Sequence, residues 1–113
     1  ENGDVIIPGE GWNTNQGQSV VVGIEVDLAE YDLEVVSRSP LDDLAQISIT
    51  VFYDSILKMV LPLRGSNGKW MNDKFDFGGI VGKNHYIRFY FGATGLEIDH
   101  IALRYRKKLE LPF

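Results

Sequence analysis

A chain of 113 residues suffices for one domain around one core, and 44% hydrophobic with 24% charged residues is a globular balance. The absence of cysteine excludes a disulfide framework and any thiolate metal site, and no apolar run is long enough for a membrane-spanning helix. A net charge of -5 points away from nucleic acid, whose phosphates call for a basic surface; Arg104, Arg106, Lys107 and Lys108 read as a solvated strand end.

Most apolar residues alternate with a period of two, the signature of half-buried strands. The first clear run, "SVVVGIEVDL", puts Val20, Val22, Ile24 and Val26 on one face. Next, "YDLEVVSRS" turns Tyr31, Leu33 and Val35 inward and leaves Asp32, Glu34 and Arg38 elsewhere. Ser39 and Pro40 are suited to open one short helical turn over Leu41 to Ala45. "QISITVFYD" directs Ile47, Ile49, Val51 and Tyr53 one way, and "LKMVLPL" follows closely enough to be its hairpin partner. The stretch from Arg64 to Phe75 is rich in turn residues and charges and reads as a surface loop around Asn67-Gly68. Gly78-Gly79, Gly82 and Gly92 to Gly95 mark further turns.

"NHYIRFYFG" alternates Ile87, Phe89 and Phe91 against Tyr86, Arg88 and Tyr90. The last run, "EIDHIALRYRK", carries Ile98, Ile101, Leu103 and Tyr105 on one face only if a bulge near Asp99 or His100 corrects the phase. Roughly seven to nine short strands with little helix predict an all-β fold, an antiparallel β-sandwich or jelly roll of two sheets. An up-and-down barrel is the alternative.

The two tryptophans stand in the most polar loops. Trp12 lies in "GWNTNQGQ" with Asn13, Asn15 and Gln16, and Trp70 in "SNGKWMND" with Asn67, Lys69 and Asn72. A loop tryptophan often folds back to cap an open end of a sandwich. Two of them, each edged by planar polar side chains, also make a sugar platform. The apolar face of a pyranose packs on an aromatic ring, and its hydroxyls need donors and acceptors around the rim.

The order of motifs resembles the family 6 and family 35 carbohydrate-binding modules, jelly-roll domains appended to plant-cell-wall hydrolases. The residues that carry the resemblance are Glu30-Tyr31-Asp32-Leu33, then Asp54, then Gly68-Lys69-Trp70. Gly82-Lys83-Asn84-His85 and Ile98-Asp99-His100-Ile101 complete it, over roughly residues 17 to 105. Glu97 stands where the family has Asn, and the family's acidic first strand has no equivalent beyond Glu1 and Asp4.

The resemblance implies a non-catalytic module that targets an appended glycoside hydrolase or lyase to plant cell-wall polysaccharide: β-glucan, xylan or mannan. It implies ligand contacts from Trp12, Trp70 and Glu97, to which the polar rims of the two loops add Asn15, Asn67, Lys69 and Asn72; Asp99 matches the family's structural calcium ligand, or else bonds a neighbouring loop's backbone amides. It also implies a secreted monomer without nucleic-acid or membrane partners. The chain starts at Glu1 without a methionine and is read as a single module, residues 1–113, excised from a larger enzyme.

As an acceptor-only carboxylate, Glu97 should favour neutral sugars over uronic acids unless Lys69 or Lys74 neutralises it. Tyr86, Arg88 and Tyr90 offer a second surface on one strand face. The rival readings are a protein-interaction or adhesion sandwich, a pectin-binding module using surface lysines, and a small hydrolase. For the last, Asp99-His100 is the nearest thing to a dyad, but strand neighbours point to opposite faces. Asp42-Asp43 and Asp73/Asp76 read as solvated turn formers.

Overall fold

The computed structural model describes residues 3–12 and 14–109. Glu1 and Asn13 lie outside them. Eight strands follow in chain order: β1 (Val5–Pro8), β2 (Ser19–Glu25), β3 (Ala29–Arg38), β4 (Gln46–Tyr53), β5 (Ile56–Arg64), β6 (Met71–Ile80), β7 (Asn84–Phe91) and β8 (Glu97–Lys108). They form two four-stranded sheets, β1-β8-β3-β6 and β2-β7-β4-β5. Every pairing is antiparallel. This is the sandwich that the period-two pattern predicts.

The core lies between the sheets. Tyr31, Leu33 and Val35 from β3 and Ile101 and Leu103 from β8 are fully buried, as are Ile49, Val51, Ile87, Phe89 and Phe91 from the other sheet. Each such side chain contributes about 1.5–3 kcal/mol by leaving water. The Tyr31 hydroxyl stays satisfied at the edge of this core by donating to the Asp27 carbonyl at 3.0 Å.

The last strand carries the predicted bulge. Val36 pairs with His100 and Ser37 with Ile98, so Asp99 has no partner across the ladder. The extra residue turns both Ile98 and Ile101 inward. It also breaks the alternation that should separate Asp99 from His100, and Asp99 Oδ2 lies 2.7 Å from His100 Nδ1. The two side chains therefore meet, contrary to the strand-neighbour expectation.

Three local expectations are corrected. The polar run after Arg64 is a loop only as far as Trp70; Met71 to Phe75 are already strand, paired with β3 from Ser37 to Leu33. Alternating charges on an outer sheet face look like a loop in sequence. Gly78-Gly79 is not a turn but lies inside β6, where the register slips between Tyr31 and Asp32 and Gly78 adopts φ +94°. Asp73 and Asp76 are accordingly strand residues.

Finally, Leu41 to Ala45 is not a helical turn. Ser39 Oγ accepts from the Leu41 amide at 3.1 Å and Asp42 Oδ1 from the Leu44 amide at 3.0 Å. The Ser39 bond is the one an N-cap makes, but Asp42 takes the Leu44 amide and the Ala45 amide closes on the Asp42 carbonyl at 3.1 Å, so a turn forms in place of the helical repeat.

The same segment braces the turn before Trp70. The Asn67 and Gly68 amides donate to the carbonyls of Leu41 (2.9 Å) and Ser39 (2.8 Å). The buried Ser66 hydroxyl donates to the Lys69 carbonyl at 2.6 Å. Gly65 presses so close that an added Cβ would lie 2.0 Å from the Asp42 carbonyl oxygen. Asn67 and Gly68 both have positive φ, as Asn-Gly predicts.

A second brace joins the β4–β5 hairpin to β7. Asp54 and Ser55 form its two-residue turn with positive φ at both positions. The Asp54 carboxylate accepts from the Tyr86 amide at 2.9 Å and lies 2.6 Å from His85 Nδ1. The Tyr86 amide and then the imidazole hold its pKa below the ordinary carboxylate value. A depressed folded pKa gives stability that is present above the unfolded value and lost as pH falls through the folded one. Asp54→Asn, which tolerates the left-handed turn, should therefore lower the melting temperature at pH 7. The deficit should shrink in acid as the wild-type carboxylate is protonated. A deficit independent of pH would show that charge is not what Asp54 contributes.

Candidate functional site

One end of the sandwich gathers the β1–β2 connection, the β7–β8 connection and the ends of β3 and β8. The β1–β2 connection is laid against β8 by the Gly9 amide, which donates to the Asp99 carbonyl at 3.0 Å. Thr14, farther along, is buried and donates its hydroxyl to the Leu96 carbonyl. Between these anchors the chain turns, and the Trp12 amide donates to the Gly9 carbonyl at 3.2 Å. The indole thereby swings over the open end of the core. It stacks on Phe89 with centroids 5.7 Å apart and meets Phe91 at 6.2 Å.

A cavity of about 470 Å³ opens beside Trp12, walled by Gly9, Gly11, Asn15, Gly95 and Glu97 among others. Gly11 and Gly95 add no side chain to this lining, and Gly9 is pressed against Ile98. Asn15 and Glu97 supply polar atoms at the wall. A larger cavity of about 640 Å³, between Leu44, Ser48, Val60 and Arg64, holds none of the ligand residues expected from sequence; Asp43 of the Asp42-Asp43 pair lines it.

Trp70 stands next to this mouth and does not line it. It is 47% exposed, and its ring is covered by the Arg38 guanidinium, whose central carbon lies 4.5 Å from the ring centroid. Arg38 in turn donates to Glu97 through Nε at 3.0 Å and Nη2 at 3.3 Å. The geometry follows from register: Arg38 ends β3 directly opposite Glu97, the first residue of β8. Trp70, Arg38 and Glu97 thus form a continuous stack that ends in the wall of the Trp12 cavity. The indole contacts of Trp12 among the described residues are with the core, and Arg38 and Glu97 stand between the two tryptophans.

Asn67 and Lys69 are exposed in the braced turn before Trp70. Asn72 is drawn elsewhere. It sits in β6 opposite Val36, and its Nδ2 donates to Glu34 Oε2 at 2.9 Å on the outer face of the first sheet. That face is a ladder of ion pairs. Arg104 bonds Asp4 and Glu34, and Arg106 bonds Glu30, Asp32 and Asp76. Arg104 and Arg106 of the basic cluster are therefore paired within the fold, and Lys107 lies 3.9 Å from Glu30.

Neither histidine opens on the cavity. His85 is held by Asp54, while His100 is held by Asp99 and lies 3.6 Å from Glu34. Among the described residues, no three carboxylate or imidazole side chains gather around a metal-sized space. With one Asp99 oxygen already at 2.7 Å from His100, these side chains do not by themselves form the multi-oxygen cage calcium requires. Tyr86, Arg88 and Tyr90 are exposed on the outer face of the second sheet, with Arg88 5.7 Å over the Phe52 ring.

Sequence reasoning missed Arg38. It assigned the neutralising role to Lys69 or Lys74, yet Lys74 faces Glu34 across the β3–β6 ladder. Only the register of β3 against β8 reveals the true partner, and a single sequence does not print register.

No protein-family model matches the sequence, and neither does any curated protein sequence. Solved structures do match. The CBM36-1 domain of a multidomain xylanase from the hindgut metagenome of Trinervitermes trinervoides superposes with a TM-score of 0.70 at 13% identity, covering 88% of this chain and 95% of that one. A family 35 carbohydrate-binding module from Clostridium thermocellum gives 0.65 at 15%, with coverages of 92% and 93%. The chain has the jelly-roll fold of these modules. Within a β-glucosidase from Paenibacillus barengoltzii, the match spans 91% of this chain but only 10% of the enzyme, with a TM-score of 0.67 at 16% identity. Identities this low speak for a shared fold.

Proposed function

We propose that this chain is a non-catalytic carbohydrate-binding module of a secreted enzyme, which it tethers to a neutral plant cell-wall β-glycan. The observation that carries the reading is the cavity beside Trp12, lined by the Trp12 side chain, by glycines and by Glu97, which is paired with Arg38. An aromatic wall with convergent donors and acceptors suits a pyranose ring. The matches to an excised xylanase module and to one-tenth of a β-glucosidase support the modular part. Weak, reversible attachment to a polymer would raise the local concentration of a linked catalytic domain.

Native gel electrophoresis through hydroxyethylcellulose, xylan and galactomannan tests this, with a polygalacturonate gel alongside. Retardation by at least one neutral polymer, relative to a polymer-free gel, is the expected result. Equal mobility in every gel would remove the carbohydrate reading and favour the protein-interaction sandwich.

A further inference from the structure

We infer that Arg38 is a ligand-binding residue of this site, and that Trp70 serves it as a positioning residue instead of stacking on the sugar itself. The inference rests on the carbohydrate reading above and deepens it. Arg38 spends Nε and one Nη2 bond on Glu97, and among the described residues its Nη1 has no hydrogen-bond partner. The guanidinium is planar. Trp70 lies against its face and Glu97 holds its edge, so its free donors are fixed in direction beside the cavity wall that Glu97 forms.

Glu97 alone could only accept hydrogen bonds, where an amide would both donate and accept. Arg38 and Glu97 together restore both functions: Nη1 donates, and the carboxylate oxygens keep lone pairs for a second hydroxyl. Two neighbouring hydroxyls on a neutral sugar, one accepting and one donating, match this pair. The pairing also alters the expectation that Glu97 repels uronic acids, since its charge is met by Arg38 at 3.0 Å. What remains is a nearly neutral unit that reads hydroxyls.

The Trp70 ring cannot offer a sugar the face that Arg38 occupies. If its role is to keep the guanidinium flat, its contribution to binding passes through Arg38. Coupled residues of that kind give non-additive losses, whereas independent contacts give additive ones.

The test is a double-mutant cycle with Arg38→Met, Trp70→Ala and the double variant, each assayed by affinity electrophoresis in whichever neutral polymer retards the wild type. Arg38→Met keeps an apolar cover on Trp70 but removes every donor. It should weaken binding at least about tenfold, the usual scale for losing charge-assisted hydrogen bonds. Trp70→Ala should weaken binding less or equally, and the double variant should bind no worse than Arg38→Met. Trp70→Phe, which retains an aromatic face, should recover most of the loss. Melting of each variant identifies any that fails to fold, and Arg38→Leu, which also lacks every donor, then takes the place of Arg38→Met.

Multiplying losses in the double variant would show Trp70 touching sugar directly and overturn the inference alone. Undiminished binding by Arg38→Met would do the same. A wild type retarded by no polymer would instead take down the carbohydrate reading and the ligand role of Arg38 with it.

Discussion

Trp12→Ala should both unfold the module more easily and abolish binding, which separates it from every other residue near the cavity. One side of the indole is packed on Phe89 and Phe91, two fully buried members of the core. Removing a buried Trp costs about 3–5 kcal/mol, and a half-buried one about 2–3. In a domain of this size that corresponds to a fall in melting temperature of roughly 8–15 °C. Trp70→Ala, at an exposed position, should stay within about 0.5 kcal/mol of wild type. Calorimetry on the two variants makes the comparison. An unchanged melting temperature for Trp12→Ala would mean that the ring merely rests on the core. Phenylalanine at position 12 should restore much of the stability but less of the binding, since the smaller ring leaves the cavity wall incomplete.

That contrast measures how far the site was legible. Composition and loop context mark both tryptophans, and they do lie toward one end of the sandwich. The sequence leaves the choice between plug and platform open for each ring, and the choice depends on what lies behind it. Behind Trp12 are Phe89 and Phe91, about eighty positions away in sequence; behind Trp70 is Arg38, which the alternation of β3 places only away from its inward face. Strand content was far easier to read, because period-two alternation is local. It fails where both faces carry polar residues, as in β6, where "MNDKFDFGG" puts Asn72, Asp73, Lys74 and Asp76 among its first six positions and a glycine pair inside the strand. The bulge at Asp99 was legible for the opposite reason: without it Ile98 or Ile101 would face water.

The ion pairs on the outer face of the first sheet were beyond sequence reasoning, and they carry the second large effect. Arg104→Met should destabilise the fold by about 1.5–3 kcal/mol at neutral pH. Glu34 is only 6% exposed, and Arg104 bonds it through Nε at 2.9 Å and Nη2 at 2.8 Å. Breaking a fully buried pair costs about 3–5 kcal/mol because an uncompensated charge remains. The lower figure reflects an Arg104 side chain that is partly open to water and an Asn72 amide that still donates to Glu34.

Acid should reveal the cause. Burial raises the pKa of Glu34, but the bonds from Asn72 and Arg104 outweigh it and hold the folded value below the ordinary one. In the wild type, this stabilisation is full above the unfolded glutamate value of about 4.3 and is lost as pH falls through the folded value. In Arg104→Met, burial acts with less opposition, so the carboxyl protonates earlier and sheds its penalty. The gap between the two proteins should therefore be widest near neutrality and close below about pH 4. Urea unfolding at pH 7 and in mild acid measures both.

Pairing Arg104→Met with Glu34→Met sharpens the assignment, since it leaves no charge stranded at position 34, while Asp4 loses Arg104 but keeps the Tyr105 amide in both variants. The double variant should recover at least half of the single variant's loss. If it is less stable than Arg104→Met at pH 7, Arg104 contributes through its packing along the sheet and not through Glu34.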